Sequence, residues 1–128
     1  MRVIDGPELE RLTPWPALLA ALRDRLAAPL ASPQRLILDP TGEGDALLLM
    51  PAWREGGLIV VKLVTVYPRN AAAGKPALAA RVSVFDQRDG RLCALLDGMV
   101  LTVRRTAAAS ALAASLLARP DSATLLVI

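Results

Sequence analysis

The chain has 128 residues and no histidine, so it lacks both the commonest general base near neutral pH and the commonest metal ligand. Cys93 is its only cysteine, which excludes an intramolecular disulfide and a Cys/His metal cluster and fits a reducing cytoplasm. Aromatic residues make up 3% of the chain, leaving little with which to stack bases. The net charge is only +3, with arginines scattered singly or in one adjacent pair, so the clustered basic footprint of a nucleic-acid binder is missing. No uninterrupted apolar run reaches the roughly 18 residues of a membrane span. Residues 1–10 carry acids and no apolar stretch of signal length. These absences lead to the expectation of a cytoplasmic, soluble protein with neither nucleic acid nor membrane as partner.

What is present is a 54% hydrophobic chain dominated by Ala, Leu and Val, enough for one domain with a true core. Pro14-Trp15-Pro16 opens a segment in which Leu18, Leu19, Leu22 and Leu26 recur at helical spacing, with Arg23, Asp24 and Arg25 on the other side. This predicts an amphipathic helix over residues 14–28, with Thr13 as its N-cap. Strands are expected at 34–38, 46–53, 58–67, 77–85 and 91–96, punctuated by clusters such as Pro40-Thr41-Gly42-Glu43-Gly44 and Arg88-Asp89-Gly90. Their spacing reads as a mostly antiparallel meander. An alanine-rich helix over 102–117 follows, its alanines serving either helix propensity or close approach to a sheet. Beyond Arg119-Pro120-Asp121, the run Thr124-Leu125-Leu126-Val127-Ile128 reads as a buried strand of a further, parallel sheet. The fold class is therefore α+β: N-terminal helix, strand meander, helix, then one strand belonging to something else.

Several residues could carry chemistry. Lys62 stands in Leu58-Ile59-Val60-Val61-Lys62-Leu63-Val64-Thr65-Val66, apolar on both faces. A buried ammonium needs a counter-charge or a cavity, so Lys62 meets a ligand carboxylate, an internal acid, or solvent at a strand end. Arg105 and Thr106 are expected in the first turn of the second helix, where free N–H groups attract anions and arginine adds a planar fork; the alternative is a solvated helix start. Arg35 precedes Leu36-Ile37-Leu38 on what reads as the first strand, a place where an isolated arginine is usually a surface residue. Met50, in a strand, is more often core filling than a pocket wall.

Across nearly its whole length the chain resembles the ornithine cyclodeaminase/mu-crystallin family. The resemblance rests on Leu49-Met50-Pro51-Ala52, Val61-Lys62-Leu63-Val64, Tyr67-Pro68-Arg69-Asn70, Ala94-Leu95-Leu96-Asp97-Gly98, Ala118-Arg119-Pro120-Asp121, and the run Leu101-Thr102-Val103-Arg104-Arg105-Thr106-Ala107-Ala108-Ala109-Ser110-Ala111-Leu112. It implies that Lys62 faces the substrate, that Arg35 and Arg105 bind its carboxylate, that Met50 lines the same pocket, and that Arg105 and Thr106 lie against a dinucleotide. Ala77 stands where some relatives have a cofactor-contacting threonine. Leu48 stands where ornithine cyclodeaminases place an acid for the far amine of ornithine. Residues 47–53 look more like members that reduce Δ1-pyrroline-2-carboxylate and Δ1-piperideine-2-carboxylate.

The resemblance further implies a homodimer through the strands and an NAD(P)H-dependent intact enzyme. Its division would be residues 1–121 for substrate binding and dimerisation and 122–128 as the first Rossmann strand, with the catalytic aspartate and glycine loop beyond Ile128. No catalytic residue is assigned within these 128 residues, no cofactor is expected on the chain alone, and no turnover is expected from it. The other expectations are ornithine cyclisation with loss of ammonia, or a non-catalytic crystallin-like binder.

Overall fold

Leucine- and valine-rich segments bounded by Gly, Pro and Asp clusters become the strands of one six-stranded sheet, in which the first strand of the chain lies beside the sixth and the rest follow in reverse chain order to the second. The computed structural model describes residues 1–26 and 29–126. Along the chain come β1 (Arg2–Ile4), α1 (Gly6–Leu12), α2 (Trp15–Leu26), β2 (Leu36–Leu38), β3 (Ala46–Trp53), β4 (Leu58–Val66), a 3₁₀ segment (Pro68–Ala73), β5 (Leu78–Asp86), β6 (Leu92–Asp97) and α3 (Gly98–Leu117). Strands β2 to β6 pair antiparallel, and β1 pairs parallel to β6. The α+β meander is thus as the sequence suggests, with strand ends within two residues of expectation.

Four local expectations differ. A short strand and helix, β1 and α1, precede the expected N-terminal helix, so Arg35 borders the second strand and not the first. Three residues are too few to show an alternation, and β1 exists because β6 offers its edge. Thr13 does not cap α2: its N–H closes α1 on the Glu10 carbonyl, and its hydroxyl donates to the Leu9 carbonyl at 2.6 Å. Pro14 stands between Thr13 and the start of α2, which frees that hydroxyl for other work. Of the strand expected over 124–128, Thr124, Leu125 and Leu126 lie in no strand, and Val127 and Ile128 fall outside the described residues. A parallel strand takes its hydrogen bonds from neighbours, and none among the described residues pairs here.

The fourth difference is α3. It begins at Gly98, four residues before the expected start, directly from the end of β6. The Asp97 carboxylate caps it, accepting from the N–H groups of Met99 (2.9 Å) and Val100 (3.0 Å). A side chain at Gly98 would put its Cβ 2.6 Å from the carbonyl carbon of Ala80, so only glycine lets the helix turn this close to β5. With 20 residues at a mean hydropathy of 1.2, α3 also has the length and composition of a membrane span, contrary to the reading from uninterrupted runs. Its alanines supply that hydropathy, Arg104 and Arg105 interrupt it, and the helix lies against the sheet. Ala108 is 1% exposed and serves close packing, whereas Ala107, Ala111, Ala113 and Ala114 are exposed and serve propensity.

The two sheet faces differ. Even-numbered residues of β4 and β5 point to the helices, and Val64, Ala80 and Val82 are buried there with Leu9, Ala108 and Leu112. On the same face β2 and β3 lie beyond the helices, where Ile37 is 60% exposed. The opposite face, with Leu36, Leu38, Leu63 and Ala79 exposed, carries no helix among the described residues.

Candidate carboxylate-binding site

The register of the sheet collects the predicted residues. Met50 lies directly opposite Lys62, which lies opposite Val82. The β2–β3 ladder pairs Leu36 with Leu49, and Arg35, the residue before β2, borders the same cavity as Met50. Arg35, Met50 and Lys62 thus form a row across three neighbouring chain segments on the helix-bearing face. A cavity of about 310 Å³ lined by Ser32, Pro33, Gln34, Arg35, Met50 and Pro51 marks the open end of that row.

Lys62 sits where helix cover gives out, and it is half-buried. Among the described residues it has no carboxylate partner, and neither do Arg35 and Arg105. Partial burial, first, and the charge of Arg105, second, hold the Lys62 ammonium below its ordinary pKa of 10.5. Two cations felt by each other, without an acid between them, favour an anion in the gap.

Arg105 reaches this place by a route other than the expected one. It is the eighth residue of α3, two turns in, where backbone N–H groups are already bonded within the helix, so no free amides assist it. The early start of the helix at Gly98 is the reason. What Arg105 contributes is its guanidinium, carried on the stripe of Leu101, Ala108 and Leu112 that faces the sheet. Thr106, exposed like Arg105, stands about 100° further round the helix and so off that stripe. The structure therefore brings together Arg35, Met50, Lys62 and Arg105 and leaves Thr106 outside the group.

Leu48 shares the face of Met50 and lies opposite buried Val64. Half-buried Leu48 is an apolar neighbour of Met50 with nothing to pair an ammonium. Ala77, just before β5, accepts the Tyr67 N–H on its carbonyl at 2.7 Å.

Residues here do not by themselves fit a dinucleotide. Both junctions at which a strand runs into an α-helix among the described residues are closed by the chain's own carboxylates: Asp97 takes the first amides of α3, and Asp5 takes the Glu8 N–H at the start of α1. A diphosphate would need those amides free.

Sequence reading missed Arg104, whose side chain crosses to the corner between α1 and α2. The signal available was a lone Trp15 beside two prolines together with an adjacent arginine pair, but nothing in the spacing says which arginine turns which way.

A family model described as the ornithine cyclodeaminase/mu-crystallin family matches residues 10–128. The chain is 42% identical over 115 residues to a Delta(1)-pyrroline-2-carboxylate reductase of Paracoccus denitrificans, covering 89% of this chain and 35% of that protein. It is 39% identical over 114 residues to a Delta(1)-pyrroline-2-carboxylate/Delta(1)-piperideine-2-carboxylate reductase of Azospirillum brasilense, covering 86% and 36%. The solved Delta(1)-pyrroline-2-carboxylate reductase of Thermococcus litoralis, in complex with NADH and L-proline, superposes with a TM-score of 0.83 at 28% identity, over 95% of this chain and 39% of that one. The chain thus spans little more than a third of the length of these relatives. It belongs to the ornithine cyclodeaminase/mu-crystallin family.

Proposed function

We propose that this chain is the substrate-binding portion of an NAD(P)H-dependent reductase of cyclic imine acids, taking Δ1-pyrroline-2-carboxylate or Δ1-piperideine-2-carboxylate to proline or pipecolate. The observation that carries the reading is the unneutralised pair Lys62 and Arg105, set in line with Arg35 above an apolar strand face. Lys62 and the two guanidinium forks would hold the carboxylate, and that grip fixes the plane of the ring. Leu48 would pack against its methylenes. NAD(P)H supplies hydride in the whole enzyme, and its main site is assigned outside these residues. Holding the C=N carbon in one orientation is this chain's share of the rate enhancement. Leu48 favours an imine ring over ornithine, because a second ammonium would be stranded against it.

The same reading assigns residues 1–121 to substrate binding and dimerisation. The uncovered sheet face, with Leu36 52%, Leu38 44% and Leu63 41% exposed, would meet a second copy there. Light scattering should give twice the mass of 13.6 kDa, and Leu63→Arg should return it to the monomer; a monomeric wild-type chain would remove the dimer from the reading.

Calorimetric titration with pyrrole-2-carboxylate, a planar ring acid of the right size, tests the site. Saturable binding is expected, together with loss of binding for the uncharged pyrrole-2-carboxamide. Equal affinity for acid and amide would show that the cations do not read a carboxylate.

A further inference from the structure

Arg104 makes three contacts with one small corner of the fold. Its Nε donates to the Thr13 hydroxyl at 2.9 Å, its Nη2 donates to the Thr13 carbonyl, and its guanidinium lies over the Trp15 ring, 4.1 Å from the centroid. One edge of the fork, Nε with Nη2, and the flat face of the group are thereby in use together, which a lysine could not match at such a place. The receptor is itself fixed, because the Thr13 hydroxyl donates onward to the Leu9 carbonyl and the Thr13 N–H closes α1. The Thr13 carbonyl lies at the C-terminal end of α1, where a cation is favoured.

We propose that Arg104 is a positioning residue: by clasping the corner between α1 and α2 it fixes the rotation of α3 and so holds the Arg105 guanidinium beside Lys62. On a helix of 3.6 residues per turn, neighbouring side chains are separated by a fixed angle of about 100°. Locking Arg104 onto the corner therefore sets the direction of Arg105. Gly98, Ala108 and Leu112 seat α3 on the sheet, and Arg104 ties the same helix to the α1–α2 corner, beside an α2 that buries no side chain of its own. Neither Thr13 nor Trp15 belongs to the row of Arg35, Met50 and Lys62, so the effect of Arg104 on that row passes through Arg105. Burial is the larger cause of the depressed Lys62 pKa and the Arg105 charge the smaller, so Lys62 lies within the field of Arg105.

The inference deepens the carboxylate reading and rests on it in one arm of its test only. Lys62 and Lys75 are the chain's two lysines, so labelling lysine with ¹³C gives one signal at the site and one internal standard. Arg104→Met, Arg104→Lys and Trp15→Leu are compared with Asp86→Asn, a change in the distant β5–β6 hairpin. In the three clasp variants the Lys62 titration should move up toward that of an ordinary lysine. Affinity for pyrrole-2-carboxylate should fall roughly 3- to 30-fold, the range for changes that act on a site through a neighbour. Asp86→Asn should leave both unchanged even where it lowers Tm.

If Arg104→Met does not fold, the two milder variants decide. Folded Arg104→Lys and Trp15→Leu proteins with an unmoved Lys62 titration and unchanged affinity would reduce Arg104 to a plain structural contact and overturn the proposal. A wild-type chain that fails to bind the acid, combined with a Lys62 titration that moves in the variants, would remove the carboxylate reading and uphold the clasp.

Discussion

The two ends of the sheet are built from the same kinds of residue and end in different states. Toward β5, helices seal the even-numbered face, and Val64, Ala80 and Val82 retain at most 6% of their surface. Toward β2, the same face of an equally apolar strand is left open, with Ile37 60% exposed. Lys62 lies on the border: it is half-buried, dry enough to feel desolvation and the Arg105 charge, and open enough to keep part of its surface in water. A charged binding residue needs this intermediate position, since full burial would neutralise it and full exposure would let water screen it.

The difference can be broken most severely at the sealed end. Gly98→Val drives a branched side chain into the Ala80 backbone and should cost about 3 kcal/mol or more in urea unfolding, because backbone cannot step aside as a side chain does. Next in size, Leu112→Ala on the sealed face should cost about 2 to 4 kcal/mol, with a cavity left beneath α3. Ile37→Ala at the open end should stay within about 0.5 kcal/mol. Similar losses for the two would mean that the open end is covered in solution.

At the border, Lys62→Met should weaken pyrrole-2-carboxylate by roughly 30-fold, the equivalent of about 2 kcal/mol for a charged hydrogen bond, without lowering Tm. The folded-state pKa of Lys62 is below the ordinary 10.5, so its charge opposes folding at neutral pH and that opposition fades as pH rises toward 10.5. Wild-type stability should accordingly gain on that of Lys62→Met in alkaline solution, and carboxylate affinity should fall there earlier than an ordinary lysine would allow.

The smallest effect belongs to the β5–β6 hairpin, remote from both ends. The Arg88 side chain and N–H hold Asp86 far below the ordinary 3.8, so its contribution is complete above that pH and is lost as pH falls further. Asp86→Asn should flatten the acid limb of a Tm-against-pH curve and change little above pH 5.

Where a feature is local, the sequence showed it. β3 and β4 are legible because Gly and Pro clusters bracket β-branched and leucine runs, and the α+β order follows from counting them. Features set by distant partners were not legible. The start of α3 hides inside the apolar stretch Leu95-Leu96-Asp97-Gly98-Met99-Val100-Leu101, and only the closeness of β5 shows why Gly98 is the turning point. Thr13 looked like a cap because it precedes a proline-led helix, whereas its partner is Arg104, 91 residues away. Lys62 and Arg105 were legible as residue types, Arg35 only through the family resemblance, and the placing of Lys62 beside Met50 required the register.

The most direct test is to map where the acid binds, by following backbone amide shifts of the ¹⁵N-labelled chain as pyrrole-2-carboxylate is added. The account predicts saturable changes at Arg35, Met50, Lys62 and Arg105, with the β5–β6 hairpin silent and the changes gone in Lys62→Met. Shifts centred on another surface, or an identical map in Lys62→Met, would contradict it.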